Sequence, residues 1–336
     1  MLQTTSLLAL IAIFAQQCAC YGATWHPLAN ITIARRQEHS TVFLPPDSIL
    51  TIGGITGDNA FTTTDLVQRY SISHNTWEDT LPPLPTALNH PNAAVVDGTL
   101  YVFGGLAQTP EAWSAVGDSW KYDDTLKEWI SIAPVPEPRG SAAVGVFDGK
   151  VVLTGGLKRI QLVSPYGQDT VDTVSIYDVA KDEWIPVPSN ASTIPDTRDH
   201  ACAAVIDRHF YILGGRERGQ FSGKATVLVL DLDDIDAGWK VGPADMPTPR
   251  PGLSCGAVGS KIYTFGGEGN LRVESGVFNE TEVYDVRSGT WEQLGEMDVP
   301  RHGTGAVSVG GKINVPGGGD VIGIAPVSYF DALIPW

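Results

Sequence analysis

Basic residues are scarce in this chain: 22 Lys and Arg stand against 38 Asp and Glu, a formal net charge of -16. A surface of that sign repels phosphate backbones and anionic headgroups, so nucleic acid and membrane surfaces are excluded as partners. Cysteine is sparse, with four residues, and methionine sparser, with three. After the first twenty residues no apolar run approaches the roughly 18 residues of a membrane helix. Phosphate-cradling glycine loops, Gly-x-Ser-x-Gly and His-Glu-x-x-His are all missing. The familiar signatures of nucleotide, serine-hydrolase and zinc-protease chemistry are therefore absent.

What is present begins with a leader. Leu7–Ala15 is an apolar stretch too short to span a bilayer, followed by the small residues Cys18-Ala19-Cys20. Residues 1–20 read as a secretory signal peptide, although its first segment carries no Lys or Arg. Three sequons fit that route, at Asn30, Asn190 and Asn279. With the leader removed, only Cys202 and Cys255 remain. An oxidising compartment would allow them one disulfide, but each sits in an apolar strand segment, and the expectation is two separate buried thiols.

The body of the chain is periodic. Val95–Gly105 reads as a hairpin with an Asp97-Gly98 turn, ending in Gly104-Gly105. Glycine pairs recur at Gly53, Gly155, Gly214, Gly266 and Gly317, with successive spacings of 51, 51, 59, 52 and 51 residues. An Arg opens most repeats, and a Tyr-Asp pair followed by a Trp seven residues after the Tyr closes them. Repeat three shows the whole set as Arg139, Gly155-Gly156, Tyr177-Asp178 and Trp184. Repeat four departs, with Leu230-Asp231 and then Trp239.

These landmarks resemble the kelch repeat over roughly residues 25 to 336. The resemblance implies an all-β, six-bladed β-propeller of four-stranded blades, forming one domain over residues 21–336. It is similar to a secreted, galactose-oxidase-type propeller without the copper site, since no Tyr-His pair occurs. After Tyr329 and Phe330 too little chain follows to make a fourth strand. Trp25-His26-Pro27-Leu28 is expected to pair with Val327–Phe330 and close blade six. The lengthened connection Leu157–Gln168 reads either as a functional loop or, no less readily, as a surface insertion, and the acidic run Asp231–Asp236 as a solvated turn.

Candidate site residues come from ring positions. Arg139, Arg198, Arg250 and Arg301 each stand sixteen residues before their glycine pair, with Arg36 one residue out of step and Leu88 in repeat two. The kelch resemblance implies that residues at and after this position help line a peptide-binding face. A structural role, satisfying backbone carbonyls between blades, stands equally open for each Arg. Fourteen residues before the pair lie His39, His90, Ser141, His200, Gly252 and Gly303; His302 adjoins the last. Three imidazoles at one ring position could hold a metal or a proton. However, Pro45-Pro46 puts the register of repeat one in question, and histidine after the Arg also suits blade packing. No metal and no cofactor is therefore expected.

The function expected is that of a secreted, monomeric binding module for an extracellular protein or glycan, acting through the channel mouth. The resemblance leaves two alternatives: a sugar-active enzyme of mutarotase or epimerase type in the same pocket, and a purely structural propeller. Glu38, beside His39, is the acidic residue in the ring segment that would favour the enzyme.

Overall fold

The computed structural model describes residues 23–57, 62–78 and 80–335; the expected leader at 1–20 lies outside them. Among the described residues six antiparallel sheets of four or more strands follow one another along the chain, beside a two-stranded pair of Arg36–Gln37 with Ile55–Thr56. The third, for example, runs Ala143–Phe147, Lys150–Thr154, Val174–Asp178 and Glu183–Ile185. The first strands of the six sheets touch one another in cyclic order, and the strand Val307–Val309 of the last packs beside Ser40–Leu44 of the first. Repeated kelch landmarks on such sheets fit a β-propeller.

The Gly98 hairpin forms as its sequence dictates. Val96 pairs with Thr99, and Asp97 and Gly98 carry φ of 48° and 77°, the left-handed pair of a type I′ turn. The glycine pair at the end of the second strand does more than end it. A Cβ on Gly155 would lie 2.3 Å from the Arg198 carbonyl, and one on Gly266 would lie 2.0 Å from that of Arg301. The second glycine then donates its N–H to the same carbonyl of the next repeat: Gly156 to Arg198 at 3.0 Å, Gly267 to Arg301 at 2.9 Å. Gly54, Gly215 and Gly318 do the same to Leu88, Arg250 and Arg36, so five of the six pairs latch neighbouring sheets. In the second repeat Gly105 pairs with Val116 of its own sheet, and the Arg139 carbonyl accepts from Asn92 Nδ2 instead.

Tryptophan supplies a second latch. Trp77, Trp129, Trp184, Trp239 and Trp291 donate their indole N–H to carbonyls of Ala29, Pro82, Ala133, Ala191 and Ala244, each in the connector preceding its own sheet. Four of them also pack on the tyrosine seven residues before, with ring centroids 5.1 to 5.4 Å apart.

Three expectations are adjusted. Thr24–Pro27 does pair with the last strand, but over Asp331–Ile334, with Trp25 opposite Leu333, a few residues beyond the expected partner. The connection Leu157–Gln168 is no plain loop. Leu157–Gln161 and Gly167–Thr170 form a ribbon that adds to the second sheet through Ala112–Ser114. Finally, Cys202 and Cys255 are not separate thiols. They are bonded as a disulfide with Cα atoms 5.7 Å apart. The two occupy the starts of adjacent innermost strands, Cys202–Ile206 and Ser254–Val258, and packing those strands side by side brings the sulfurs together. The acidic run is a solvated turn as expected, with Asp233, Asp234 and Asp236 exposed around a short 3-10 helix at Ile235–Ala237.

Candidate functional site

Two residues after each repeat-opening position the backbone enters the left-handed region: Glu38, His90, Ser141 and His200 at φ of 49–54°, Gly252 at 64° and Gly303 at 57°. That conformation turns each N–H along the ring instead of into a strand. His90 donates to Glu38 at 2.8 Å and Ser141 to His90 at 3.0 Å. Gly252 donates to His200 at 3.1 Å, Gly303 to Gly252 at 3.0 Å, and Glu38 to Gly303 at 2.6 Å. Between Ser141 and His200 the hydroxyl of Ser141 accepts instead, at 3.2 Å. A non-glycine residue in this region is uncommon and costs on the order of 1 kcal/mol, so four together mark a constrained site.

The ring settles the register of repeat one. Leu44 pairs with Ser48 across three residues, Pro45-Pro46-Asp47, where Val96 pairs with Thr99 across two. The additional residue shifts counting by one, so Glu38 and not His39 holds the ring position. His39 instead packs against the last sheet, with Nε2 3.0 Å from the carbonyl of Pro316. Burial, then the Arg36 charge, lowers its pKa to about 4.

Glu38, His90 and His200 converge. Nε2 of His90 lies 2.9 Å from Nε2 of His200 and 3.1 Å from Oε2 of Glu38, and the third edge measures 3.8 Å. Behind them, Nδ1 of His90 meets Oδ1 of Asn89 at 2.6 Å, and Nδ1 of His200 meets Oδ1 of Asp199 at 2.6 Å. Both partners are acceptors, so both Nδ1 atoms carry the proton; each Nε2 then presents a lone pair when its ring is neutral and a donor to Glu38 when it is charged. Arg216 joins the cluster, 3.2 Å from His200 and 3.1 Å from Asp199, and also pairs with Glu268. Glu268 in turn faces His302 at 3.6 Å and accepts from Gln220 at 3.1 Å.

Electrostatics follow from burial and these partners. Burial would raise the Glu38 carboxyl, but His90, His200 and His302 hold it well below the usual carboxylate range. Burial lowers His200, and Arg216 lowers it further, against Asp199, which favours its charge. The Asp199 carboxyl is held down by His200 and Arg216 against its own burial. The three converging groups open onto a cavity of about 190 Å³, whose remaining ring positions carry little side chain: Ser141, Gly252 and Gly303. A larger cleft of about 730 Å³, lined by Trp77, Arg69 and Lys127, lies on the outer strands of the first two sheets and gathers no buried polar cluster.

The opening arginines are not part of this lining. Arg36, Arg139, Arg198, Arg250 and Arg301 are at most 1 % exposed. Each reaches back into its own sheet: Arg36 to Thr51 at 2.6 Å and Leu66 O at 2.9 Å, Arg139 to Ser175 at 2.9 Å and Leu153 O at 3.1 Å, Arg198 to Thr226 O at 2.9 Å. Arg250 binds Glu280 O at 3.0 Å and pairs with Glu282, and Arg301 pairs with Asp331. Burial lowers Arg36 to a pKa of about 9 and Arg139 to about 10. Of the two roles open for them, the geometry selects the structural one. His302, also expected at the mouth, lies beside Glu268 with Nε2 2.9 Å from the Val321 carbonyl. Of the expected residues the structure brings His39, His90 and His200 to the cavity together with Glu38, and it places the five arginines away from it.

Asp199, Arg216 and Glu268 escaped the sequence reading. The last two directly follow a glycine pair, where repeats one to three have Ile55, Leu106 and Leu157, which pack with Trp113. A charged residue at a position that other repeats fill with aliphatic side chains is the signal that was there to be read.

Among known proteins, the model of the KLHDC2/KLHL20/DRC7 Kelch-repeats domain matches residues 23–215 and 164–318. Kelch-like protein terF of Aspergillus terreus is 40% identical over 309 residues, 89% of this chain and 65% of its own. Beta-scruin of Limulus polyphemus is 24% identical over 226 residues, and Kelch-like protein 40 of Xenopus tropicalis is 26% identical over 232. This chain spans 24% of the former's length and 35% of the latter's. On its repeats and on these matches, the chain belongs to the kelch-repeat family.

Proposed function

We propose that the protein is a secreted, glycosylated six-bladed propeller, closed by its N-terminal strand, that binds a glycan by inserting one sugar residue into the axial cavity. The observation that carries this reading is the convergence of Glu38, His90 and His200 on a cavity of about 190 Å³. That space admits a single ring or side chain, not the surface of a folded partner. A carboxylate and imidazole nitrogens suit a polyhydroxylated guest, because each offers a strong acceptor to a hydroxyl. The Cys202–Cys255 bond supports passage through an oxidising compartment. Asn30 and Asn190 are exposed and Asn279 half-buried, and the Asn190 amide donates to the Asp236 carbonyl at 3.1 Å, so Asn30 is the most accessible of the three sequons.

A second reading has a specific observation in its favour. Glu38 pairs with His90 at the cavity wall, and Asp199, buried behind it, pairs with His200, which also lines the cavity; carboxylate–imidazole pairs of this kind can transfer a proton on a sugar. A purely structural propeller gains nothing from such a cluster.

The test is a melting-temperature screen of the secreted protein against monosaccharides and glycan fragments, run with and without chelator. A ligand that binds only the native state raises the transition. Ala142→Leu, which narrows the cavity, should abolish the shift while leaving the unliganded transition in place. No shift with any sugar in either buffer overturns the glycan reading. Anomer exchange followed by NMR on whichever sugar binds separates the module from the enzyme.

A further inference from the structure

The Glu38–His90–His200 cluster poses a problem that hydrogen bonds alone do not solve. With both Nδ1 protons committed to Asn89 and Asp199, the two Nε2 atoms face each other at 2.9 Å as acceptors, with a carboxylate oxygen 3.1 Å from one of them. With both rings neutral, three acceptors converge: Arg216 donates to that of His200 at 3.2 Å, and no donor reaches those of His90 and Glu38 among the described residues.

Charge leads to the same conclusion. With the imidazoles of His90, His200 and His302 neutral, Glu38, Asp199 and Glu268 bring three negative charges to this buried cluster and Arg216 one positive, leaving two negative charges uncompensated. Isolated buried charge is costly unless it is paired or coordinates a metal. A divalent cation between the three acceptors restores neutrality in one step.

Geometry specifies the kind of ion. The edges of 2.9, 3.1 and 3.8 Å straddle the edge of roughly 3.3 Å that bonds of about 2.0–2.1 Å at tetrahedral angles produce. Two imidazoles with one carboxylate favour first-row divalent ions over calcium or magnesium, which take oxygen. The contacts from Asn89 and Asp199 to the far ring nitrogens are those by which metal-binding histidines are oriented.

We propose that Glu38, His90 and His200 form a three-ligand site for a divalent transition-metal ion such as Zn2+, with its remaining position turned toward the axial cavity. Asp199 and Asn89 are positioning residues for the two imidazoles. The proposal shares its location with the proposed glycan site but does not depend on a glycan binding there.

The experiment strips the secreted protein with chelator and titrates it with Zn2+ by calorimetry and with Co2+ by visible absorption. One equivalent of Zn2+ should bind and raise the melting temperature. Co2+ should develop the intense d–d bands of low coordination. His90→Asn and His200→Asn should each weaken binding at least tenfold, and Asp199→Asn by about 10–100-fold, the usual cost of losing such a partner. Unchanged affinity in the histidine variants would place the ion elsewhere and overturn the site. The Co2+ spectrum of the unaltered protein decides the matter even where a variant fails to fold. If Co2+ keeps the weak spectrum of the aqueous ion and Zn2+ leaves the transition unmoved, the cluster holds a proton and not a metal. Because the sugar screen is read in both buffers, metal binding without sugar binding, or the reverse, tells the two proposals apart.

Discussion

The amide of Gly318 donates to the carbonyl of Arg36 across 2.8 Å, joining the last glycine pair to the first repeat-opening arginine. It repeats, between the two ends of the chain, the latch that Gly156 makes to Arg198 and Gly267 to Arg301. The same junction is bridged by Glu38 N–H to Gly303 O and by the pairing of Trp25 with Leu333. Three independent contacts at one seam imply that the sheets unfold together. Deleting residues 21–30 should therefore lower global stability by at least about 3 kcal/mol, the scale of removing one packed tryptophan. Equilibrium denaturation monitored by tryptophan fluorescence measures it. An unchanged midpoint, or a separate early transition for the last sheet alone, would show that the seam does not carry the ring.

The opening arginines lead to a test of their structural role. Arg301 and Asp331 are both completely buried and paired, the arginine in turn lying 4.9 Å from the ring of Tyr329. Removing one partner strands a buried charge, whereas removing both does not. Arg301→Met should cost about 3–5 kcal/mol, and Arg301→Met with Asp331→Leu should recover most of it. Thermal unfolding of the three proteins gives the comparison. A ligand-binding defect at full stability in the single variant would return Arg301 to the mouth.

The contrast between what the repeat pattern revealed and what it hid has a physical basis. The glycine pairs, the Tyr–Trp spacing and the Asp97-Gly98 turn are legible because each answers a local backbone or packing demand that recurs in every sheet. The arginines recur for the same reason, which is why their regularity signalled architecture and not ligand. Glu38 was misplaced in favour of His39 because a three-residue turn at Pro45–Asp47 shifts the count, and one residue in a strand exchanges inward for outward. Arg216 and Glu268 were missed because they stand where a repeat breaks its own rule, and a search for matches passes over such positions. The disulfide depends on which strands lie side by side, a relation that only the cyclic packing supplies.

That disulfide offers its own measurement. Cys202 and Cys255 are 53 residues apart and staple the innermost strands of the fourth and fifth sheets. Chain-entropy reasoning assigns a loop of that length about 4 kcal/mol. Cys202→Ser with Cys255→Ser, or reduction of the native protein, should lower stability by about that amount without changing the fold. Mass spectrometry of the native and reduced chains should differ by two hydrogens. Two free thiols in the native protein would restore the original expectation.

His39 makes stability depend on pH with a definite sign. Its ring is 6 % exposed, and its pKa falls from 6.5 to about 4, chiefly through burial and then through Arg36. Ser40 and Pro316 carbonyls and the Glu38 carboxylate oppose that fall without reversing it. As pH drops below 6.5, the unfolded chain takes up the proton while the folded one refuses it. Stability that is fully present above 6.5 is therefore lost progressively toward pH 4, by about 2 kcal/mol between pH 7 and 5. His200, held down by burial and Arg216, adds to the same slope. His39→Gln keeps a donor for the Pro316 carbonyl but cannot titrate, so its stability should fall less over that interval. Chemical denaturation at pH 7, 6 and 5 for both proteins reads the difference directly. Equal slopes would mean that His39 is protonated in the folded state, and that its hydrogen bond to Pro316 outweighs its burial.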